Sequence, residues 1–348
     1  YIEEVQMKFL LIAGFPDSLI EFRGALLDAL LTCGMSVDVA APDLPEDSAM
    51  RRRLEARGLR VHDIPLQRTG MNPVMDLATL MHLRRLMLQI RPDYVLGYTI
   101  KPVIYGSLAA RLAGVPRRFA LITGLGYAFT GSRGKGLRGV LRGLVQQLYR
   151  LALRGSDKVF FQNPDDQALF RKLRLLDASI PSCVLNGSGV DVGRFQTSRL
   201  PEKPSFLLIA RLLGDKGVRE YAEAARLVRS KYPGAVFRLV GWIDSNPDAI
   251  RQDELEGWVR EGTVDYLGRL EDVREAIANC SVYVLPSYRE GTPRTVLEAM
   301  SMGRPIITTD APGCRETVVE GGNGFLVPVK GVKELAEAMT RFVEDPEL

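Results

Sequence analysis

The sequence is poor in the side chains that hold transition metals. Only two histidines occur, His62 and His82, and the four cysteines, Cys33, Cys183, Cys280 and Cys314, stand far apart with no Cys-x-x-Cys among them. A zinc cluster and a disulfide framework are therefore not indicated, and a reducing cytosol suits the chain. No Asp-x-Asp occurs anywhere, so a magnesium–diphosphate site of the acidic-pair kind has no evident ligands. Charge on a bound phosphate would have to be met by protein cations and backbone amides. Long apolar runs are missing too: none reaches the roughly 18 residues needed to cross a bilayer, although a chain of this kind can still lie on one.

Two nucleotide signatures are also missing. The stretch "AGFPDSL" gives Gly14 for close backbone approach after the first strand, but no Gly-x-Gly-x-x-Gly follows it. "GSRGKGLRG", from Gly131, looks like a phosphate loop but has Phe129 where its first glycine belongs and Gly136 where Ser or Thr belongs. Acidic residues are absent between Tyr94 and Ser156, while ten basic ones occur there: Lys101, Arg111, Arg117, Arg118, Arg133, Lys135, Arg138, Arg142, Arg150 and Arg154. The net charge of +4 hides this asymmetry. The Asn-Gly-Ser at Asn186 reads as a turn, since no signal peptide accompanies it.

What is present is an ordinary globular composition, with 46% hydrophobic and 25% charged residues. A length of 348 residues suggests two domains. Short β-rich runs alternate with longer helical patterns throughout, which is the signature of an α/β protein with parallel sheets covered by helices. Strands are expected at Phe9–Ala13, Val37–Ala41, Leu59–His62, Tyr94–Gly97, Arg118–Ile122 and Lys158–Phe161. A second set follows at Phe206–Ala210, Val236–Val240, Val264–Leu267, Val282–Leu285, Pro305–Thr308 and Phe325–Val327. Between them "RFQTSRLPEKP", Arg194 to Pro204, has neither period and reads as a linker. The expected domains are 7–198 and 199–348, with Tyr1–Gln6 an addition ahead of a native start at Met7. Two doubly wound units facing each other would leave a cleft at the strand carboxyl ends, where ligands collect.

Several charged residues fall at such strand ends. "ARLLGDKG" puts Arg211 after a strand and Lys216 at the mouth of the next helix, where two cations and a helix amino end could hold a diphosphate. "YREGTPRTVLEAM" puts Glu290 in a loop and Glu298 on the helix that follows, with Pro293 as its first residue. An ionised carboxylate accepts from two adjacent hydroxyls, so one glutamate suits a hexose and the other a ribose. The amides of the turn between them would then face the diphosphate. The alternatives are solvated surface charges at Arg211, Lys216 and Glu290, and an i,i+4 pair between Arg294 and Glu298.

Taken together, "ARLLGDKG", "VDYLGRL" and "PSYREGTPRTVLEAMSMGRPIITTDAPGCRETVVEGGNGFLVP" resemble the nucleotide-sugar half of the family 4 retaining glycosyltransferases, over nearly the whole second domain. The resemblance implies a GT-B fold of two Rossmann-like parallel-sheet domains, a UDP-sugar donor and no metal or other cofactor. It implies that Arg211 and Lys216 bind the diphosphate, Glu290 the donor sugar and Glu298 the ribose. Gly14, the turn Gly291, Thr292, Pro293, Arg294, Thr295 and Val296, and the nucleobase edge Leu267, Gly268, Arg269 and Leu270 complete the donor site. Arg211, Lys216 and Glu290 would carry catalysis. A front-side displacement, with the departing phosphate taking the acceptor proton, accounts for retention because no nucleophile is evident; double displacement through a carboxylate is the alternative.

"YTIKPVIYGSLAARLAGVPRRFALITGLGYAFTG" is similar to bacterial enzymes that add an N-acetylhexosamine to a polyprenyl-diphosphate-linked sugar during O-antigen, capsule or glycoprotein-glycan assembly. Where many members carry a histidine after the fifth strand, Thr123 and Gly124 stand here. This resemblance implies a bacterial cytoplasmic enzyme peripheral on the inner face of the plasma membrane. Similar proteins continue past the terminal "RFVEDPEL" into a helix that crosses back, so that helix is expected to be missing.

A helical projection of Leu137 to Gly155 gathers Arg138, Arg142, Arg150 and Arg154 in one arc. Leu137, Val140, Leu141, Leu144, Leu148, Leu151 and Ala152 lie opposite, as an apolar stripe expected to face the core. Several basic residues at roughly 1 kcal/mol each would hold the chain reversibly on an anionic leaflet. Arg133, Lys135, Arg138 and Arg142 are candidates for this contact, with Tyr127 and Phe129 entering the interface. Lys101, in a loop after the fourth strand, is the candidate contact to the acceptor diphosphate. Nucleic acid is the other polyanion to weigh, but no reading motif accompanies the charges. Two rival functions use the same architecture: a UDP-sugar epimerase and a non-catalytic nucleotide-sugar scaffold.

Overall fold

The run KFLLI at Lys8–Ile12 is apolar on both faces, and both faces are buried, as a central strand of a parallel sheet requires. Phe9 and Leu11 enter one core while Leu10 and Ile12 enter another. In the computed structural model, residues 6–67, 70, 72–125, 137–244, 246, 248–345 and 348 are described. The chain divides into two compact units, one ending at Ser188 and the other starting at Gly189.

The strands of the first unit are β1 (Lys8–Ile12), β2 (Ser36–Ala41), β3 (Arg60–Asp63), β4 (Tyr94–Tyr98), β5 (Arg117–Ile122), β6 (Lys158–Phe161) and β7 (Ser182–Val184). All pair in parallel, in the order β3-β2-β1-β4-β5-β6-β7. Its helices are α1 (Asp17–Glu21), α2 (Gly24–Thr32), α3 (Ala49–Glu55), α4 (Pro73–Ile90), α5 (Ile100–Leu112), α6 (Leu137–Leu153) and α7 (Pro164–Lys172). Asn72 and Asn163 cap α4 and α7, each followed by a proline in the first turn.

The second unit repeats the plan with β8 (Ser205–Ile209), β9 (Val236–Val240), β10 (Asp265–Tyr266), β11 (Val282–Leu285), β12 (Ile306–Thr309) and β13 (Gly324–Val327). Their order is β10-β9-β8-β11-β12-β13, again parallel. The helices are α8 (Val218–Lys231), α9 (Gln252–Arg260), α10 (Arg274–Ala278), α11 (Arg294–Ser301) and α12 (Val332–Glu344). In each sheet the strand order reverses beside the first strand, between β1 and β4 and between β8 and β11. Such reversals open a crevice at the strand carboxyl ends.

The segment read as a linker is irregular, but it is docked on the second unit. Phe195 is buried in that core, and Arg304, itself 2% exposed, donates to the carbonyls of Ser198 and Arg199 as well as to Ile277, Ala278 and Met302.

Helix α6 departs from expectation in phase. Of the stripe expected to face the core, Ala152 is buried and Leu148 packs against the core, but Val140, Leu144 and Leu151 are 71%, 47% and 45% exposed, and Val145, Tyr149 and Leu153 are buried instead. Burying Tyr149 edge-on against Phe170, with ring centroids 5.1 Å apart, removes more apolar area than burying the leucines would, and that rotates the helix. An apolar line is left facing outward. Tyr127, Phe129, Arg133 and Lys135 lie outside the described residues, as do the side chains of Leu137, Arg138 and Leu141.

Candidate functional site

In the second unit the charged residues collect at the β8/β11 reversal. After β8, the chain passes Arg211 and makes a tight turn, Gly214–Lys216, before Gly217 opens α8 with φ +71°. A Cβ on Gly217 would lie 2.1 Å from the carbonyl oxygen of Pro286, the first residue after β11, so only glycine allows the two loops to meet this closely. The contact is tied by the Tyr288 amide, which donates to the Asp215 carbonyl at 2.8 Å, and by the Ser287 hydroxyl, which donates to the same oxygen at 3.2 Å.

This closeness brings Lys216 to Glu290, with Nζ 2.6 Å from Oε1 and both side chains 16% exposed. The solvated-charge alternative does not hold for either residue. Arg211 pairs with Asp244 at 2.8 Å, a partner 33 positions away beyond β9 that no local pattern announces. Glu298 is 6% exposed and accepts from Arg294 Nε at 2.8 Å, so the i,i+4 pair foreseen as an alternative is formed. Pro293 is the cap of α11, one residue before its first turn.

Asp215 adds a carboxylate with one oxygen buried and, among the described residues, without a hydrogen-bond partner. Burial raises its pKa, Lys216 opposes the rise, and Glu290 and Asp248 add to it. Tyr288 donates to Glu220 Oε1 at 2.5 Å, and burial together with that carboxylate raises the phenol's pKa. The cluster therefore holds two cations, each already matched by a carboxylate, at the amino end of α8. When a cation exchanges its carboxylate for a phosphate oxygen, the released carboxylate must be met by hydroxyls of the ligand or by water.

The other expected donor residues divide. Val296 is buried in the apolar core and the Thr295 hydroxyl accepts from Tyr283 at 2.6 Å, so neither side chain joins the charged group. Leu267 is 41% exposed, Leu270 packs against the core, and Arg269 lies over the Trp242 ring at 4.6 Å. Gly268 carries the turn with φ +72°, its carbonyl accepting from Gly241 at 2.9 Å.

In the first unit, Gly14 follows β1 at the β1/β4 reversal, and a Cβ there would come 3.0 Å from the Thr99 hydroxyl. Lys101 is in the first turn of α5 rather than in a loop, and its Nζ is 2.7 Å from Asp76 Oδ1. The two side chains are only 12% and 8% exposed, so Lys101 is committed to a buried pair. Thr123 and Gly124 follow β5, both half-buried.

The first unit matches the family described as glycosyl transferase 4-like domain over residues 23–180, and the second matches glycosyl transferases group 1 over residues 203–345. The chain belongs to this glycosyltransferase family and is a glycosyltransferase. Among its relatives, the N,N'-diacetylbacillosaminyl-diphospho-undecaprenol alpha-1,3-N-acetylgalactosaminyltransferase of Campylobacter jejuni is 30% identical, covering 99% of this chain and 91% of the relative. Sucrose-phosphate synthase from Thermosynechococcus elongatus shares the fold with a TM-score of 0.77 at 18% identity, over 98% of this chain and 90% of that one. Anabaena HepE in complex with UDP does so with a TM-score of 0.74 at 21% identity, over 98% and 91%. The GT-B fold expected from the motifs is the fold of the chain, and the epimerase and scaffold readings are not favoured.

Proposed function

We propose that the chain transfers an N-acetylhexosamine, with retention and without a metal, from a UDP-sugar to a saccharide linked to polyprenyl diphosphate. The observation that carries this reading is the Lys216–Glu290 pair at the β8/β11 reversal. Lys216 and Arg211 would take the diphosphate of the donor, Glu290 the sugar hydroxyls and Glu298 the ribose. The leaving diphosphate would gain charge as the glycosidic bond breaks, and the two cations with the amino end of α8 stabilise that charge. In a front-side displacement the departing phosphate oxygen takes the proton of the acceptor hydroxyl. No protein nucleophile is then required.

The acceptor class is supported by the Campylobacter relative, whose name specifies a diphospho-undecaprenol sugar, and the nucleotide by the UDP of the Anabaena structure. Attachment to an anionic leaflet is supported by the acid-free stretch from Tyr94 to Ser156 and by the outward line Val140, Leu144 and Leu151. No helix among the described residues is long and apolar enough to cross a membrane.

The test is thermal stabilisation by a panel of nucleotides and nucleotide-sugars in EDTA. A ligand at about a hundred times its Kd adds roughly 2.7 kcal/mol, a Tm shift of a few degrees. UDP and one UDP-N-acetylhexosamine should produce it, and Glu298→Ala should abolish it. Stabilisation that requires magnesium, or that survives Glu298→Ala, rejects the reading.

A further inference from the structure

Arg150 on α6 and Arg154 just after it do not lie on a simple solvated face. Both turn into a surface cavity of about 480 Å³ shared with Arg171 and Arg174 from the end of α7 and the loop after it. Helices between parallel strands run against them, so the carboxyl ends of α6 and α7 lie at the amino edge of the first sheet, beside the starts of β6 and β7. Cofactors and substrates of such sheets bind at the opposite edge. The cavity is thus distinct from the site the family uses.

Its four guanidiniums fall into two classes. Arg150 donates to the carbonyls of Leu173 and Arg174, at 3.2 and 2.9 Å, and Arg171 donates to the carbonyls of Asp177 and Ile180. These two are held rigidly and close the helix ends. The side chains of Arg154 and Arg174 make no hydrogen bond or ion pair among the described residues. Arg174 has in addition φ +53°, a left-handed backbone where glycine would ordinarily stand. Among the described residues one carboxylate lines the cavity, that of Asp177, which accepts from the amide and hydroxyl of Ser179. Four cations against one carboxylate leave a strong local excess of positive charge, and planar forks suit a tetrahedral oxyanion.

We propose that this cavity is a second anion site, binding a phosphate monoester or diester through Arg154 and Arg174 on a frame set by Arg150 and Arg171. The ligand is either the headgroup of an anionic phospholipid or a soluble phosphorylated compound, and the two sources are separable.

The experiment compares the full chain with Arg154→Gln/Arg174→Gln in two arms: calorimetric titration with glycerol 1-phosphate, and flotation with phosphatidylcholine vesicles with and without phosphatidylglycerol. Because neither residue holds another group in place, the variant should fold as the parent does. Arg84→Gln/Arg85→Gln, on α4, removes the same charge elsewhere on the first unit. The expected result is binding about tenfold weaker in at least one arm for the first variant and near-parental for the second. Loss confined to titration identifies a soluble ligand, and loss on phosphatidylglycerol vesicles identifies a headgroup. Equal binding by the parent and the first variant in both arms, or an equal loss in the α4 control, overturns the proposal.

Discussion

Gly313 and Glu290 are packed backbone to backbone: a Cβ on Gly313, whose φ is +81°, would fall 2.2 Å from the Glu290 carbonyl oxygen. The Glu290 amide donates to Pro312 at 2.9 Å in the same contact, so the turn after β12 fixes where the glutamate loop sits. Gly313→Ala should therefore cost about 3 kcal/mol through the forbidden φ and the clash, and push Glu290 off Lys216. Chemical denaturation reads the stability, and turnover should fall further than the loss of folded protein explains. Parental activity would show that the loop does not need this support.

The buried carboxylate of Asp215 gives a pH signature. Burial raises its pKa in the folded state, so its contribution to stability is complete below the unfolded value and is lost as pH rises through the folded one. At neutral pH the ionised group destabilises the fold. Asp215→Asn should raise Tm at pH 7.5, and the advantage should shrink towards nothing as pH falls to the ordinary value of 3.8. Melting curves of both proteins across this range decide it, and an advantage independent of pH counts against a charge effect.

Thr99 opens α5 with φ +69° and ψ 169°, a region almost reserved for glycine. Relief of the strain, worth about 1–3 kcal/mol, exceeds the entropy that glycine adds to the unfolded chain, about 0.4–1 kcal/mol. Thr99→Gly is expected to stabilise the protein by about 1 kcal/mol. If the β1/β4 reversal handles acceptor, the same change should raise the acceptor KM with little effect on the donor KM.

Arg304 spans three segments, donating to five carbonyls and the Ser198 hydroxyl. Removing a buried charged donor leaves those acceptors unsatisfied, so Arg304→Ala should cost about 3 kcal/mol or more. Arg304→Lys should recover less than half of that, because an ammonium cannot reproduce the planar fork. Near-complete rescue by lysine in urea denaturation would refute this account.

Most of the fold was legible because both faces of a central parallel strand are buried, and such strands write continuous apolar runs. Each of the twelve expected strands occurs. The thirteenth, β7, has three half-buried residues, Ser182, Cys183 and Val184, too short and too polar to stand out. At the candidate site, the glutamates and Lys216 sit in contiguous motifs and could be read. Asp244 and Asp76, the partners of Arg211 and Lys101, could not, since each meets its cation only through the crossover of the sheet. In α6 the period was right and the phase was not. Periodicity counts apolar positions equally, whereas packing weighs Tyr149 above Leu144.

Pairing at the site also shapes how a charged ligand arrives. With Lys216 against Glu290 and Arg211 against Asp244, the cations of the site project little field into solvent. If these cations take the donor as proposed, its capture would depend on short-range exchange of partners rather than on long-range attraction, and its association rate should change little with ionic strength. The arginine cavity at the amino edge of the first sheet sets four guanidiniums against the single carboxylate of Asp177, and any association it governs should slow steeply as salt is added.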